Sequence, residues 1–223
     1  MHVAVFLDRD GTINEEMGYI NHIDRFVLIP GAAAAIRSIN ESDLKAVIVT
    51  NQSGVARGYF SKELIDQVHR KMRGLLEEEG AFLDGIYTCT HAPQRKGESG
   101  SCGCRKPKIG LMEQAAQELN LDLEKSYVVG DRFKDAEMAR NAGARAILVL
   151  TGYGKGELEF LGPSSKVQVD FVAKDLAEAV QWILADAKGQ TEKVNGQRKP
   201  QRSQRSQKKA NVKMAEINRL SIE

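Results

Sequence analysis

The sequence predicts an α/β protein with a three-layer, Rossmann-like, doubly wound parallel sheet. Short apolar segments of strand length alternate with longer amphipathic segments of helical periodicity over residues 1–187. This alternation is typical of a parallel sheet whose crossover connections are helices that cover both faces. In addition, 42% of the 223 residues are hydrophobic, which is enough to bury the core of one domain of ordinary size.

The predicted elements follow one another in regular order along the chain. The strand-like segments are residues 3–7, 45–50, 85–89, 126–129, 145–150 and 170–172. The helical segments are residues 32–40, 62–79, 110–120, 134–142 and 176–187. The second helix has the clearest boundaries, because Ser61 is a favourable N-cap and Gly80 can end the helix.

Three of the strand-like segments end in glycine and polar residues, with the sequences LDRDGT (7–12), VTNQSG (49–54) and VVGDR (128–132). In an open parallel sheet, ligands bind beyond the carboxyl ends of the strands, near the point where the strand order reverses. We therefore expect these three strand ends to meet at one crevice.

Residues 188–223 are predicted to form a basic, disordered tail that follows the domain of residues 1–187. Residues 188–210 contain eight Lys or Arg and one Glu, whereas the net charge of the whole chain is only +2, so the domain itself is mildly acidic. Polar segments of such low complexity cannot bury enough apolar surface to fold. The tail has no aromatic residue for base stacking, so the sequence predicts no specific nucleic-acid partner.

The sequence also predicts a cytoplasmic protein that does not contact a membrane. No apolar run is long enough to span a bilayer. The chain enters its first strand directly, without a charged leader or a small-residue cleavage site. We expect the protein to act as a monomer on a small molecule.

The two aspartates after the first strand suggest a cation site. Asp8 and Asp10 are two residues apart on an extended segment, so their side chains can face the same cleft. Adjacent carboxylates repel each other unless a cation lies between them or their protonation states differ. Asp131 would add a third carboxylate from another strand end, and hard oxygen ligands suit Mg²⁺ better than zinc.

Two further residues suit a phosphoryl group. Thr50 offers a hydroxyl beside the backbone N–H groups of residues 51–54, and Lys106 offers a positive charge. Together they could neutralise phosphoryl oxygens while a carboxylate attacks phosphorus. A D-x-D-G-T sequence alone also occurs in calcium loops and turns, so this interpretation depends on the whole set of residues.

The three cysteines of the chain lie close together and suggest a metal-binding loop over residues 89–104. An odd number of cysteines within so short a segment argues against a disulfide framework. Three thiolates and one imidazole are typical of a closed, structural zinc site, although three buried thiols are the alternative. Such a site would hold Arg105 and Lys106 at the crevice. The candidate ligands are Cys89, His91, Cys102 and Cys104.

Four segments together resemble the motifs of the haloacid-dehalogenase-like phosphohydrolases: DRDGT (8–12), VTNQSG (49–54), RKP (105–107) and GDRFKD (130–135). The resemblance implies that Asp8 attacks the phosphate and becomes an aspartyl-phosphate. It implies that Asp10 protonates the leaving oxygen and then activates the water that hydrolyses the intermediate.

The same resemblance implies roles for the remaining motif residues. Thr50 and Lys106 would bind the phosphoryl oxygens. Asp131 would hold Mg²⁺ together with Asp8 and the backbone carbonyl of Asp10, and Asp135 would support these ligands. Only about forty residues separate the first two motifs, and they are mostly one helix and one strand, so we expect no large cap domain.

Within this superfamily, DRDGTIN (8–14), TNQSGVARG (50–58) and the Cys/His loop resemble the branch of the heptose 1,7-bisphosphate and histidinol-phosphate phosphatases. The resemblance implies removal of the C7 phosphate of D-glycero-D-manno-heptose 1,7-bisphosphate, in the synthesis of nucleotide-activated heptose for lipopolysaccharide and other surface glycans. Hydrolysis of histidinol phosphate, in histidine biosynthesis, is the alternative.

The resemblance also implies a set of substrate-binding residues. Arginine suits a second phosphate well, and this favours the bisphosphate. An acidic residue near the mouth would suit the cationic histidinol phosphate, so Glu16 leaves that alternative open. The implied residues are Glu16, Met17, Gly18, Tyr19, Asn51, Gln52, Ser53, Arg105 and Arg132.

Overall fold

The computed structural model describes residues 1–93 and 102–197 of the chain. The chain divides into two units, Met1–Leu184 and Ala185–Glu223, and all elements of the sheet belong to the first. The predicted domain boundary near residue 187 stays a prediction. The part of the predicted tail from residue 198 onwards lies outside the described residues.

Six parallel strands form one sheet in the order β3-β2-β1-β4-β5-β6, which confirms the predicted fold class. β1 lies between β2 and β4, so the strand order reverses there and opens a crevice at the carboxyl ends of these strands. The strands are β1 (Val3–Leu7), β2 (Leu44–Asn51), β3 (Gly85–Cys89), β4 (Tyr127–Gly130), β5 (Arg145–Val149) and β6 (Phe171–Ala173).

The helices pack on the sheet because each has an apolar face. In α2 the buried residues are spaced three to four apart, and Ser61 Oγ accepts the Leu64 N–H at 3.4 Å, as expected for the predicted N-cap. The helices are α1 (Ala32–Asn40), α2 (Lys62–Glu78), α3 (Gly110–Leu119), α4 (Phe133–Asn141), the single turn α5 (Gly154–Gly156) and α6 (Leu176–Gln197).

Three regions differ from the sequence-based expectation. The chain after β1, where only a loop was expected, contains a short 3-10 helix, Ile23–Arg25. α6 continues to Gln197, whereas the sequence predicts its end at residue 187; the predicted disorder of the tail stays a prediction. A polar composition does not end a helix when it includes good helix formers such as Gln, Glu and Lys. Between β5 and β6 the chain forms α5 and then short helical turns, Glu157–Leu161 and Gly162–Ser164, where no element was predicted.

The core of the sheet is apolar on both faces, as parallel sheets require. The fully buried residues include Val5, Phe6, Ile48 and Val129. Among the described helices, none is long and apolar enough to cross a membrane. In the described parts of the chain, residues 1–93 and 102–197, no second domain is inserted between the strands. The predicted absence of a large cap is confirmed.

Candidate active site

A cleft of about 290 Å³ lies at the carboxyl ends of β2, β1 and β4, where the sequence predicts the crevice. Its floor is formed by carboxylates and a lysine, and its mouth carries several cationic side chains. The lining residues that matter below are Asp8, Asp10, Glu16, Gly18, Tyr19, Thr50, Asn51, Ser53, Arg57, Arg105, Lys106, Asp131, Arg132, Lys134, Asp135 and Tyr153.

Lys106 joins two carboxylates at the floor of the cleft. Its Nζ lies 2.7 Å from Asp8 Oδ1 and 2.6 Å from Asp135 Oδ1, and it is only 5% exposed. Burial alone would lower the pKa of Lys106, but the two carboxylates raise it above its usual value. Lys106 is therefore a permanent positive charge beside Asp8.

The Asp8 carboxylate has a fixed position. Besides Lys106, the backbone N–H of Arg9 donates to Asp8 Oδ1 at 2.7 Å. Burial raises the pKa of Asp8 to about 7, although Lys106 partly opposes this shift. A carboxylate that is buried but held by donors is well placed for attack on an electrophile.

Asp10 lies in a different environment, although it is only two residues away. Burial alone would raise its pKa, but the Arg9 guanidinium and hydrogen bonds from Asn14 and Gln52 lower it. Arg9 Nη2 donates to both Asp10 oxygens at 2.9 and 2.8 Å, Asn14 Nδ2 donates to Oδ1 at 3.0 Å, and Gln52 Nε2 donates to Oδ2 at 2.7 Å. The two aspartates are thus in contrasting environments, as expected for two different roles.

Asp131 provides an oxygen without a partner. Its Oδ2 accepts the Tyr153 N–H at 2.8 Å, whereas its buried Oδ1 has no hydrogen-bond partner in the structure. Burial, followed by the nearby Asp8 charge, raises the pKa of Asp131 to about 8. Carboxylate oxygens of Asp8, Asp131 and Asp135 lie within 4.8 Å of one another. These hard donors and the orphaned oxygen fit Mg²⁺.

Two glycines allow the backbone to approach Asp131 closely. A Cβ on Gly11 or on Gly152 would collide with Asp131 Oδ2, and both residues have positive φ, +76° and +55°. The Thr151 hydroxyl donates to the Gly11 carbonyl at 2.6 Å. The loops after β1 and β5 are therefore tied together around this carboxylate.

The end of β2 positions the RKP segment. Asn51 Oδ1 accepts the Lys106 N–H at 3.1 Å, and Asn51 Nδ2 donates to the Lys106 carbonyl at 3.4 Å. Thr50 Oγ1 accepts a hydrogen bond from Gln52 Nε2 at 2.9 Å. Thr50 and Lys106 thus lie in the same cleft although 56 residues separate them in the sequence.

The cysteine and histidine side chains form a compact cluster at the end of β3. Cys104 Sγ lies 3.0 Å from Cys89 Sγ and 3.2 Å from His91 Nδ1, and Cys102 Sγ lies 3.8 Å from Cys89 Sγ. Burial raises the pKa of Cys89 to about 12, so a cation is needed to hold it as a thiolate. This donor set fits zinc. Residues 94–101 of the predicted loop lie outside the described residues.

The predicted substrate-binding residues divide into two groups. Seven of them line the cleft: Glu16, Gly18, Tyr19, Asn51, Ser53, Arg105 and Arg132. Met17 and Gln52 do not. Met17 is 39% exposed and its carbonyl accepts from Arg25, while Gln52 is buried and contacts Asp10.

Sequence reasoning missed several residues of the site. Arg57, Lys134 and Tyr153 line the cleft, and Arg9 lies behind it against Asp10. Arg9 and Lys134 stand inside the recognised motifs DRDGT and GDRFKD, so their positions were a usable signal. Tyr153 follows the end of β5, outside every motif, and no sequence pattern pointed to it.

A family model described as HAD-hydrolase-like matches residues 103–179. The chain is also similar to D-glycero-beta-D-manno-heptose-1,7-bisphosphate 7-phosphatases. It is 41% identical to that of Haemophilus ducreyi over 81% of this chain and 97% of the relative. It is 45% identical to that of Yersinia pestis over 82% and 95% of the two chains.

A solved structure agrees with these relatives. The D,D-heptose 1,7-bisphosphate phosphatase of B. bronchiseptica, complexed with magnesium and phosphate, superimposes with a TM-score of 0.74 at 32% identity, covering 82% of this chain and 99% of that one. The chain belongs to the haloacid-dehalogenase-like phosphatases, in the family of the D-glycero-D-manno-heptose-1,7-bisphosphate 7-phosphatases.

Proposed function

We propose that this protein removes the C7 phosphate of D-glycero-D-manno-heptose 1,7-bisphosphate through an aspartyl-phosphate intermediate. The observation that best supports a bisphosphate is the charge of the cleft mouth. Thr50 and Lys106 account for one phosphoryl group, and further cations suit a second. These cations are Arg57, Arg105, Arg132 and Lys134.

Asp8 is the proposed nucleophile. Lys106 and the Arg9 N–H both contact Asp8 Oδ1, so the carboxylate is held in one orientation before the substrate binds. Attack forms a bond between an Asp8 oxygen and phosphorus and breaks the bond between phosphorus and the C7 oxygen. Lys106 and Thr50 would stabilise the phosphoryl oxygens during this step.

Asp10 is the proposed acid and base. It gives a proton to the departing C7 oxygen and later takes one from the water that hydrolyses the aspartyl-phosphate. Arg9 lowers the pKa of Asp10 in the free protein. The negative charge of a bound phosphate acts in the opposite direction and favours the protonated acid that the first step needs.

Mg²⁺ would be held by Asp8, Asp131 and the backbone carbonyl of Asp10, with Asp135 in support. When bound there, it neutralises charge on the nucleophile and on the phosphoryl oxygens. The unpartnered Asp131 Oδ1 supports this assignment. Asp135 contributes by its ion pair with Lys106 and by capping α4.

Zinc is proposed at Cys89, His91, Cys102 and Cys104, in a structural role. Four protein ligands would leave no open position for a substrate. The cluster adjoins the cleft through Arg105, whose Nη1 donates to the His91 carbonyl at 3.1 Å. A zinc ion there would fix Arg105 and Lys106 indirectly, so we expect its effect on catalysis to be indirect too.

The charge of the cleft argues against histidinol phosphate. That substrate carries a cationic group, which four cations at the mouth would repel. Glu16 also lines the cleft and offsets one of these charges, which leaves histidinol phosphate as the alternative substrate. A sugar with two phosphates does not cross a bilayer unaided. We therefore expect the protein to act in the cytoplasm, in the formation of nucleotide-activated heptose.

The test is release of inorganic phosphate from D-glycero-D-manno-heptose 1,7-bisphosphate with Mg²⁺, with the remaining phosphate located by phosphorus NMR. The expected product retains the C1 phosphate and has lost the C7 phosphate. Loss of the C1 phosphate, or no turnover of a folded and metal-loaded protein, would contradict the proposal.

A further inference from the structure

Arg9 is the largest side chain that the described core buries completely, with 1% exposure. An arginine is buried in this way only when its charge and donors find partners. Here the partner is Asp10: Nη2 donates to both of its oxygens, and Nε donates to Oδ1 at 3.3 Å. Arg9 is not among the residues that line the cleft, so it contacts the reaction through Asp10.

The other end of the Arg9 guanidinium meets His69. The Nη1 atom of Arg9 lies 3.4 Å from His69 Nε2. His69 lies in α2 at the spacing of the buried residues Ile65, Val68 and Met72, so it is a polar side chain on an apolar face. Such a position calls for a hydrogen-bond partner, and Arg9 provides it.

The imidazole of His69 can accept a hydrogen bond from Arg9. Burial, and then the positive charge of Arg9, lowers the pKa of His69 to about 4. The imidazole is therefore neutral at pH 7, and its Nε2 lone pair can accept a hydrogen bond from the arginine. A charged imidazole would instead repel the guanidinium.

We propose that His69 and Arg9 are positioning residues that orient the Asp10 carboxylate for proton transfer to the leaving oxygen. His69 fixes the plane of the guanidinium, and the guanidinium fixes the plane of the carboxylate. This inference rests on the proposed function, because it assigns a purpose to the acid step of the same site. Without Arg9, Asn14 and Gln52 would hold one oxygen each.

The leaving oxygen of the substrate makes the inference testable. When the phosphoryl group moves from a sugar to Asp8, the sugar oxygen needs the proton of Asp10, because an alkoxide is a poor leaving group. A 4-nitrophenolate leaves without a proton. The constant kcat/KM reports only the steps up to this first transfer, so a defect in proton donation appears with the sugar phosphate and not with 4-nitrophenyl phosphate.

The experiment compares three variants of α2 with the native protein on both substrates. His69→Leu removes the acceptor, His69→Gln keeps an acceptor oxygen, and Gln67→Leu is the control on the exposed side of the same helix. For His69→Leu we expect kcat/KM to fall about tenfold on the heptose bisphosphate and less than about twofold on 4-nitrophenyl phosphate. For His69→Gln we expect most of the sugar phosphate activity to return, and for Gln67→Leu no change.

Equal losses of His69→Leu on both substrates, or no loss on either, would overturn the inference. If His69→Leu fails to fold, Arg9→Lys gives the same comparison, because it keeps the charge but lacks the planar guanidinium that contacts Asp10 and His69 at the same time. The native protein in the same assay tests the proposed function separately. If it does not hydrolyse the heptose bisphosphate, the variants are compared on the sugar phosphate that it does accept.

Discussion

At the scale of single residues, the site consists of buried charges whose environments differ. Asp8 and Asp131 are held where burial opposes their ionisation, whereas Asp10 is surrounded by donors that favour it. Lys106 is the cation that two of the buried carboxylates share. The metal-free protein is therefore arranged to accept further positive charge at Asp131.

Substitution of the nucleophile should separate chemistry from folding. For Asp8→Asn we expect phosphate release to fall at least about 10⁴-fold, because an amide oxygen cannot form the acyl-phosphate. The far-UV circular dichroism spectrum should be unchanged. The control is Asp122→Asn, a half-buried carboxylate that is paired with Lys125 and does not line the cleft, which should keep full activity. Substantial turnover by Asp8→Asn would contradict the covalent route.

The raised pKa of Asp131 should make the free energy of unfolding depend on pH. Its folded-state pKa, about 8, lies above the ordinary aspartate value of 3.8, so the native protein binds more protons than the unfolded chain between these values. The contribution of Asp131 to the free energy of unfolding is therefore greatest at low pH and is lost as pH rises through about 8.

We expect Asp131→Asn to flatten the fall in Tm of the EDTA-treated protein between pH 5 and pH 8.5, since the amide does not titrate. In the native protein Mg²⁺ should raise Tm more at pH 8.5 than at pH 5, and in Asp131→Asn it should raise Tm little at either. Parallel Tm curves for the two proteins in EDTA would contradict the assignment. The measurement is thermal unfolding with and without Mg²⁺.

At the scale of elements, the loops after β1, β4 and β5 form one unit around Asp131. Gly152 makes this possible, because its φ of +55° and the closeness of Gly11 Cα, 2.6 Å from a Cβ placed there, leave no room for a side chain. Gly152→Ala should lower the free energy of unfolding by about 1–3 kcal/mol, through backbone strain and collision. It should also weaken the Tm shift caused by Mg²⁺.

Gly156→Ala is the matched control for that substitution, because a Cβ there meets open space and its φ of −68° is helical. We expect Gly156→Ala to leave Tm and the response to Mg²⁺ unchanged or slightly improved. If the two variants behaved alike, the close packing of the loops would not be what holds Asp131.

The cysteine cluster predicts a coupled loss of stability and activity. Because its proposed zinc is structural, chelation should lower Tm and phosphate release together, and Cys104→Ser should do the same. The metal content of the purified protein, measured by mass spectrometry, should be about one zinc per chain, and less in Cys104→Ser. Loss of activity with an unchanged Tm would indicate a catalytic metal instead.

Much of the fold and of the active-site cleft could be predicted from the sequence, because the recognised motifs coincide with the ends of predicted strands. The polar residues after β1, β2 and β4 were expected to converge, and Asp8, Thr50, Lys106 and Asp131 do lie in one cleft. Arg9 and His69 could not be paired in this way, since 60 residues separate them and His69 belongs to no motif. Met17 was predicted to bind substrate because its sequence neighbours Glu16 and Gly18 were, but it does not line the cleft. In an irregular loop, sequence spacing does not fix the direction of a side chain.

At the scale of the whole molecule, every residue that the proposed mechanism uses lies between Asp8 and Asp135, well before the end of α6. We therefore predict that a chain ending at Gln197, the last residue of α6, keeps kcat and KM within about twofold, because no residue of the proposed mechanism lies beyond it. Steady-state kinetics of the shortened and full chains provide the check. A large loss of turnover would give residues 198–223 a part in the reaction.

The cationic mouth of the cleft is proposed to select a sugar bisphosphate. The most direct measurement is kcat/KM, with Mg²⁺, for the α and β anomers of D-glycero-D-manno-heptose 1,7-bisphosphate and for histidinol phosphate. We predict a preference of at least about tenfold for a heptose anomer, because the exposed and half-buried cations at the mouth attract a second phosphate and repel the cationic group of histidinol phosphate. A higher kcat/KM for histidinol phosphate would contradict the assignment of the cationic mouth to a second phosphate.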